Sequence, residues 1–199
     1  MERVLTAKGA ATRQRIVEGA AQLIRERGVP NVGLDDIRAS TATSKSQLFH
    51  YFADGKGDLL LAVARYEAEQ VIADQMPQLG DLTSWRKWQA WRRRVIQIYD
   101  KQRQACPLSS LTVQLGRTNP ATLEIINGLT SEWRSHLAAG VKALKESGEI
   151  DPRVDVQKTA NAILAAVTGG ATLLLSTDNL RYLEDGLAEA LESMRRPRG

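Results

Sequence analysis

Gly33-Leu34-Asp35-Asp36-Ile37-Arg38-Ala39-Ser40-Thr41-Ala42-Thr43-Ser44-Lys45-Ser46-Gln47-Leu48-Phe49-His50-Tyr51-Phe52 is the stretch on which the fold turns. Leu34 and Ile37 give a short first helix its apolar face, and Leu48 and Phe52 do the same for a second. Between them lies a run of small polar residues, with Ala42 where two crossing helices need little bulk. Ser44 is placed as an N-cap, able to accept from the free amides of the second helix. Two short helices joined by a tight turn make a helix-turn-helix over residues 33–52.

The second helix leaves Lys45, Ser46, Gln47, His50 and Tyr51 off its apolar face. Lysine pairs with guanine acceptors or phosphate, glutamine bonds adenine through two atoms, and serine serves either. The positive end of that helix, aimed outward, suits an approach to DNA. The same polar face also suits a solvated helix in an ordinary bundle, and spacing does not separate the two. Charge does not separate them either, because the first 58 residues hold nine Lys or Arg against seven Asp or Glu.

Upstream, residues 11–27 place Ile16, Val17, Ala20, Leu23 and Ile24 on one stripe, and Gly28 and Pro30 end that helix. Downstream, residues 53–57 form a turn, and a longer helix runs from Leu59 to about Gln75. Three short helices bury little by themselves, so they must lean on Leu59, Leu60 and Val63 of that connector. After Met76-Pro77 and Gly80 the expected helices lengthen: about 83–104, 107–116, 119–147, 153–177 and 180–195. Strand signals are almost absent. The expected architecture is all-α, with a DNA-binding domain over residues 1–58 and a ligand-binding and dimerisation domain over 59–199.

The run from Thr12 to Val63 resembles the N-terminal domain of the tetracycline-repressor (TetR) family of bacterial regulators. The resemblance is carried by Thr12-Arg13-Gln14-Arg15-Ile16-Val17, Ala20-Ala21-Gln22-Leu23-Ile24, Glu26-Arg27-Gly28, Leu34-Asp35-Asp36-Ile37, the whole of 44–52, and Leu59-Leu60-Leu61-Ala62-Val63. The turn Phe52-Ala53-Asp54-Gly55-Lys56 is one residue longer than the usual family form. That turn, with Cys106-Pro107-Leu108-Ser109-Ser110-Leu111, resembles the LmrA/YxaF-type branch. The resemblance implies that Ser44, Lys45, Ser46, Gln47 and His50 face DNA. It also implies that Phe49 and Tyr51 lie against its backbone and that Lys56 clamps a phosphate. Two departures bear on chemistry. Phe49 stands where the family usually has Tyr, so one hydroxyl–phosphate bond is lost. Ala42 stands where it usually has Gly, which costs energy if the turn needs left-handed backbone.

In the C-terminal part, Trp88, Trp91, Val95 and Tyr99 share one face of a helix whose other faces carry Arg86, Lys87, Arg93, Arg94 and Lys101. An aromatic stripe at this spacing serves as core or as the wall of a pocket, and the resemblance points to a pocket for a small inducer, apolar or aromatic. Trp133 and Leu137 face the same space in this reading, with Cys106 and Leu111 closing one end. The last two helices are expected to pair two copies of the chain through Ala160, Ile163, Val167, Ala171, Leu174, Leu183 and Leu187, although a helix buried inside one protomer would carry the same pattern.

The implied function is a DNA-binding transcriptional regulator, a homodimeric repressor released from a palindromic operator of double-stranded DNA by a small molecule. The alternative is a helical adaptor that binds protein instead. Catalysis is not expected: metal-ligand spacing, a glycine-rich phosphate loop and a Gly-x-Ser-x-Gly motif are all missing from the sequence, and no cofactor is implied. The composition, 43% hydrophobic and 25% charged with a net charge of +4, supports a packed core and a mild preference for anionic partners. A single cysteine suits a reducing compartment, and the cytoplasm is the expected location, with no membrane partner.

Overall fold

A computed structural model describes residues 5–103, 106 and 120–195. Eight α-helices, and no strand, occur among the described residues: α1 (Ala7–Arg27), α2 (Leu34–Ser40), α3 (Lys45–Tyr51), α4 (Lys56–Ala73), α5 (Trp85–Gln102), α6 (Pro120–Glu146), α7 (Val156–Thr177) and α8 (Arg181–Glu192). The expected helix at 107–116 lies outside the described residues, as does Leu111. Among the described residues, packing gathers the chain into two compact units. One draws on residues 5–70 and 120–126, the other on 71–103, 106 and 127–195. Helix α4 begins in the first and ends in the second.

Local chemistry sets the boundaries. Thr6 Oγ1 accepts the Gly9 amide at 3.2 Å to start α1 at Ala7, four residues before the expected start at 11. Gly28 stops it at φ 81° and ψ 151°, a backbone conformation essentially restricted to glycine. Helix α4 starts three residues earlier than its apolar pattern, because Asp58 accepts the Asp54 amide at 2.8 Å across the tight turn at Gly55. Helix α7 starts three later than expected: Asp155 caps it, accepting the Lys158 amide at 3.0 Å, and residues 151–154 form a turn. In α5, whose N-cap Ser84 makes no side-chain hydrogen bond, Glu149 accepts the Trp85 amide at 2.8 Å instead.

In the first unit Ile16, Val17, Ala20, Ile24, Ile37, Leu48, Phe52, Leu59 and Val63 are buried together. The short helices therefore do share the connector's apolar face. Burying a side chain of this kind contributes roughly 1.5–3 kcal/mol each, so the loss of any one is felt. Two contacts lock the arrangement. Helix α1 passes so close to the turn after α2 that a Cβ on Gly19 would lie 2.4 Å from Thr41 Cγ2. Arg25 on α1 grips Glu67 on α4, its Nη1 standing 2.9 Å from both carboxylate oxygens, and the Glu67 side chain is fully buried.

The second unit is built on Trp88, Trp91, Val95, Trp133, Leu137, Val141 and Leu144, all buried. Gly140 permits the tightest approach here, since a Cβ would come within 2.8 Å of Trp88 and 2.5 Å of Leu82. Helices α7 and α8 pack along their length, and at Gly170 an added Cβ would sit 2.6 Å from the Leu183 Cα. By length and composition α7 is apolar enough to cross a membrane. Its Ala160, Ile163, Val167 and Leu174 are nevertheless buried within the protein.

Candidate nucleic-acid interface

Helix α3 presents the expected polar face. Lys45, Ser46, Gln47, Phe49 and His50 are exposed, Tyr51 is half-buried, and Leu48 and Phe52 are buried beneath them. Its start is a closed capping box: Ser44 Oγ accepts the Gln47 amide and Gln47 Oε1 accepts the Ser44 amide, each at 3.2 Å. Ser46 Oγ lies 3.2 Å from Ser44 Oγ. Gln47 is therefore doubly employed. Its oxygen holds the helix start while its amide nitrogen remains to donate outward, so pairing with adenine through both atoms requires the box to open.

The turn before α3 is held by buried hydroxyls. Thr41 Oγ1 donates to the Ile37 carbonyl at 2.6 Å and lies 2.9 Å from Thr43 Oγ1. Ala42 sits between them at φ 46°, so the turn does require left-handed backbone and alanine bears its cost. Phe49, 41% exposed, covers the tight turn at Gly55, where an added Cβ would lie 3.3 Å from the ring. The ring packs locally and also shows a large apolar face to solvent. Tyr51 meets His50 edge to face, with ring centroids 4.9 Å apart. Arg13 lies over the Phe52 ring at 5.4 Å, bringing a cation from α1 to the base of the same helix. Lys56 is half-buried, and its Nζ donates to the Val29 carbonyl at 3.1 Å. It ties the start of α4 to the turn after α1, with donors left over for another acceptor.

Two family models match this chain. The one described as "Bacterial regulatory proteins, tetR family" matches residues 16–63, and "Tetracyclin repressor-like, C-terminal domain" matches residues 85–190. The chain belongs to the TetR family. An uncharacterised HTH-type transcriptional regulator in the lacX 3′ region of Lactococcus lactis subsp. lactis is 25% identical over 181 residues, covering 87% of this chain and 88% of that one. A TetR regulator of Chloroflexus aurantiacus J-10-FL superposes with a TM-score of 0.79 at 26% identity, covering 94% of this chain and 96% of that one. A TetR-family regulator of Cytophaga hutchinsonii shares the fold with a TM-score of 0.82 at 20% identity, covering 98% and 100%. This TetR-family protein is a DNA-binding transcriptional regulator, and its family consists of regulators rather than enzymes.

The other residues singled out in the sequence fall into place as follows. Trp88, Trp91, Val95, Trp133 and Leu137 are at most 1% exposed, and Trp88 meets Trp91 edge to face at 5.6 Å. Trp91 Nε1 donates to Gln75 Oε1 at 2.9 Å, whereas the indole N–H groups of Trp88 and Trp133 are buried with no hydrogen-bond partner among the described residues. Tyr99 and Cys106 line a cavity with Val71, Asp74, Gln75, Ile98 and Gln102, of about 10 Å³, room for about one water. Burial pushes the Tyr99 phenol well above its usual range, and Cys106 and Asp74 add to the effect.

Ala160, Ile163, Val167, Leu174, Leu183 and Leu187 are buried inside the protomer, at the seam of α7 and α8, and Ala171 is half-buried. The face that α7 turns to solvent is a different one, formed by Ala162, Ala165, Gly169, Thr172 and Leu173, and on α8 Tyr182 is 48% exposed. Sequence reasoning passed over this second stripe because both faces of α7 are small or apolar.

Proposed function

We propose that this chain acts as a homodimeric repressor that holds a palindromic operator and releases it when a small ligand enters the C-terminal domain. The observation that carries the reading is α3: a capped helix with Lys45, Ser46 and Gln47 exposed on a buried Leu48–Phe52 base. Ser44, Phe49, His50, Tyr51 and Lys56 complete the DNA-facing set. One helix of seven residues binds weakly. Two, held about 34–36 Å apart by a dimer, read successive major grooves. The second copy docks on the outward face of α7, where Ala162, Ala165 and Gly169 allow close approach and Leu173 supplies apolar area. That face is lined by small residues, which fits close packing against a second helix better than contact with lipid. The protein acts where the operator is, in the cytoplasm.

For the ligand, the unmatched indole N–H groups of Trp88 and Trp133 are the guide. A buried donor left unpaired costs roughly 1–3 kcal/mol, which a carbonyl or hydroxyl oxygen on an apolar or aromatic molecule would recover. Such a ligand must open the packing around those rings. Helix α4 runs from Lys56, beside the reading head, into the second unit, and transmits the change along its own length. A TetR-fold structure from Saccharomonospora viridis, 20% identical, was solved in complex with choline, so a small molecule is accommodated on this scaffold in that protein. By linkage, ligand and operator weaken each other by the same factor. The longer turn at 52–56 supports a kinship with the LmrA/YxaF-type regulators.

The test is an electrophoretic mobility shift with the DNA upstream of the chain's own reading frame. A discrete, competitor-resistant complex containing two protomers supports the proposal; no complex even at low salt refutes it.

A further inference from the structure

An open groove of about 430 Å³ lies in the second unit between the turn after α4 and the outer face of α5, lined by Met76, Pro77, Gln78, Ala90, Arg93, Arg94 and Gln97. Its ionisable lining is two arginines and no carboxylate. Neither arginine makes an ion pair among the described residues, although Arg13, Arg25 and Arg103 elsewhere each engage a ring or a carboxylate. Arg94 is held in place all the same: its Nε donates to the Asp74 carbonyl at 2.8 Å, near the end of α4. That bond spends one donor of the guanidinium and leaves the terminal amino groups for another acceptor. Gln78 Oε1 is buried without a hydrogen-bond partner among the described residues, so the groove also carries an unmatched acceptor. The Asp74 carboxylate, the nearest anion in sequence, accepts from Gln102 Nε2 at 2.8 Å and lines the small Tyr99 cavity instead.

We infer that this groove binds a small, multiply charged anion, a carboxylate- or phosphate-bearing metabolite that also offers a hydroxyl or N–H. Arginine suits the role because its planar fork meets two oxygens of a carboxylate or phosphate at once, and a guanidinium already fixed through Nε loses little freedom on binding. The volume lies in the range of small-molecule sites rather than of a single ion. The site is separate from the tryptophan cluster, and its existence does not depend on how the protein meets DNA.

Isothermal titration of the full-length protein with citrate, and separately with inorganic phosphate, at ionic strength fixed with chloride, tests the inference. Saturable binding of one probe per chain is expected, and which probe binds tells carboxylate from phosphate. Arg93→Gln and Arg94→Gln should each weaken it by roughly tenfold or more. Arg86→Gln, the same charge change at an exposed position of α5 outside the groove, should leave it unchanged. Arg94 also holds the Asp74 carbonyl, so its loss could disturb the fold; Arg93, exposed and bonded to nothing comparable, keeps the test decisive. The inference is overturned if neither probe saturates below roughly 10 mM. It is overturned equally if Arg86→Gln weakens binding as much as Arg93→Gln, or if operator duplex displaces the probe and so assigns the groove to DNA.

Discussion

Cutting the Arg25–Glu67 pair is the perturbation that most sharply tests how the DNA-reading unit is held together. The Glu67 side chain is fully buried and that of Arg25 is 21% exposed, so removing the arginine takes its cationic partner from a carboxylate that water cannot reach. Breaking such a pair from one side costs about 3–5 kcal/mol, more than the hydrophobic contribution of any single neighbouring side chain. Arg25→Met keeps the length and apolar stem of the side chain while deleting the charge. For a chain of this size that loss lowers the melting temperature by roughly 6–20 °C. The double variant Arg25→Met/Glu67→Leu removes both charges and fills the space. It should recover most of the loss, because an apolar pair of similar volume is often as stable as a buried ion pair. Thermal and urea unfolding followed by circular dichroism, run as a double-mutant cycle, read both effects. A single variant within about 1 kcal/mol of wild type would refute the reasoning, since that is the range of an exposed pair. So would a double variant as unstable as the two singles summed.

Three further expectations concern separate parts of the molecule. Ala42→Gly should stabilise the first unit by about 1 kcal/mol by relieving the left-handed backbone at φ 46°, read as a higher urea midpoint at unchanged slope. The Asp155 carboxyl is held below its usual range first by the Lys158 amide, so its contribution is present above the unfolded carboxyl's range near pH 4 and fades as pH falls through the lower folded value. Asp155→Asn should accordingly melt below wild type at neutral pH, with the gap closing as pH drops under about 4, in a pH series of thermal melts. Leu173→Asp puts a charge on the outward face of α7 and should give monomers in sedimentation velocity, with the helical content retained.

Much of this was readable because helices announce themselves locally. Period, caps and stops coincide at Gly28 and Ser44, and the apolar positions of α1, α3 and α5 fall on the buried faces assigned to them. Relations across the chain were not readable. Arg25 and Glu67 stand 42 residues apart, and each is an ordinary polar position in its own helix. Lys56 shows a cation at a helix start, but its bond to the Val29 carbonyl depends on where the turn after α1 comes to lie. Helix α7 carries two small-residue stripes, and only the position of α8 decides which of them is inside. The arginine groove needs the turn at Met76–Gln78 folded beside α5, which no pattern in α5 reveals. The need for glycine at position 19 is likewise set across the chain, by Thr41 in the turn after α2.

Fluorescence anisotropy of a labelled upstream duplex, at one fixed near-physiological salt concentration, measures the central claim: α3 is the surface that meets DNA. The informative variant is Lys45→Ala with Gln47→Glu, because glutamate keeps an oxygen to accept the Ser44 amide and so preserves the helix start. Each lost contact is worth roughly 1–3 kcal/mol, and the account predicts affinity reduced by at least about 30-fold with the melting temperature unchanged. Binding within a few-fold of wild type by a folded variant would contradict it.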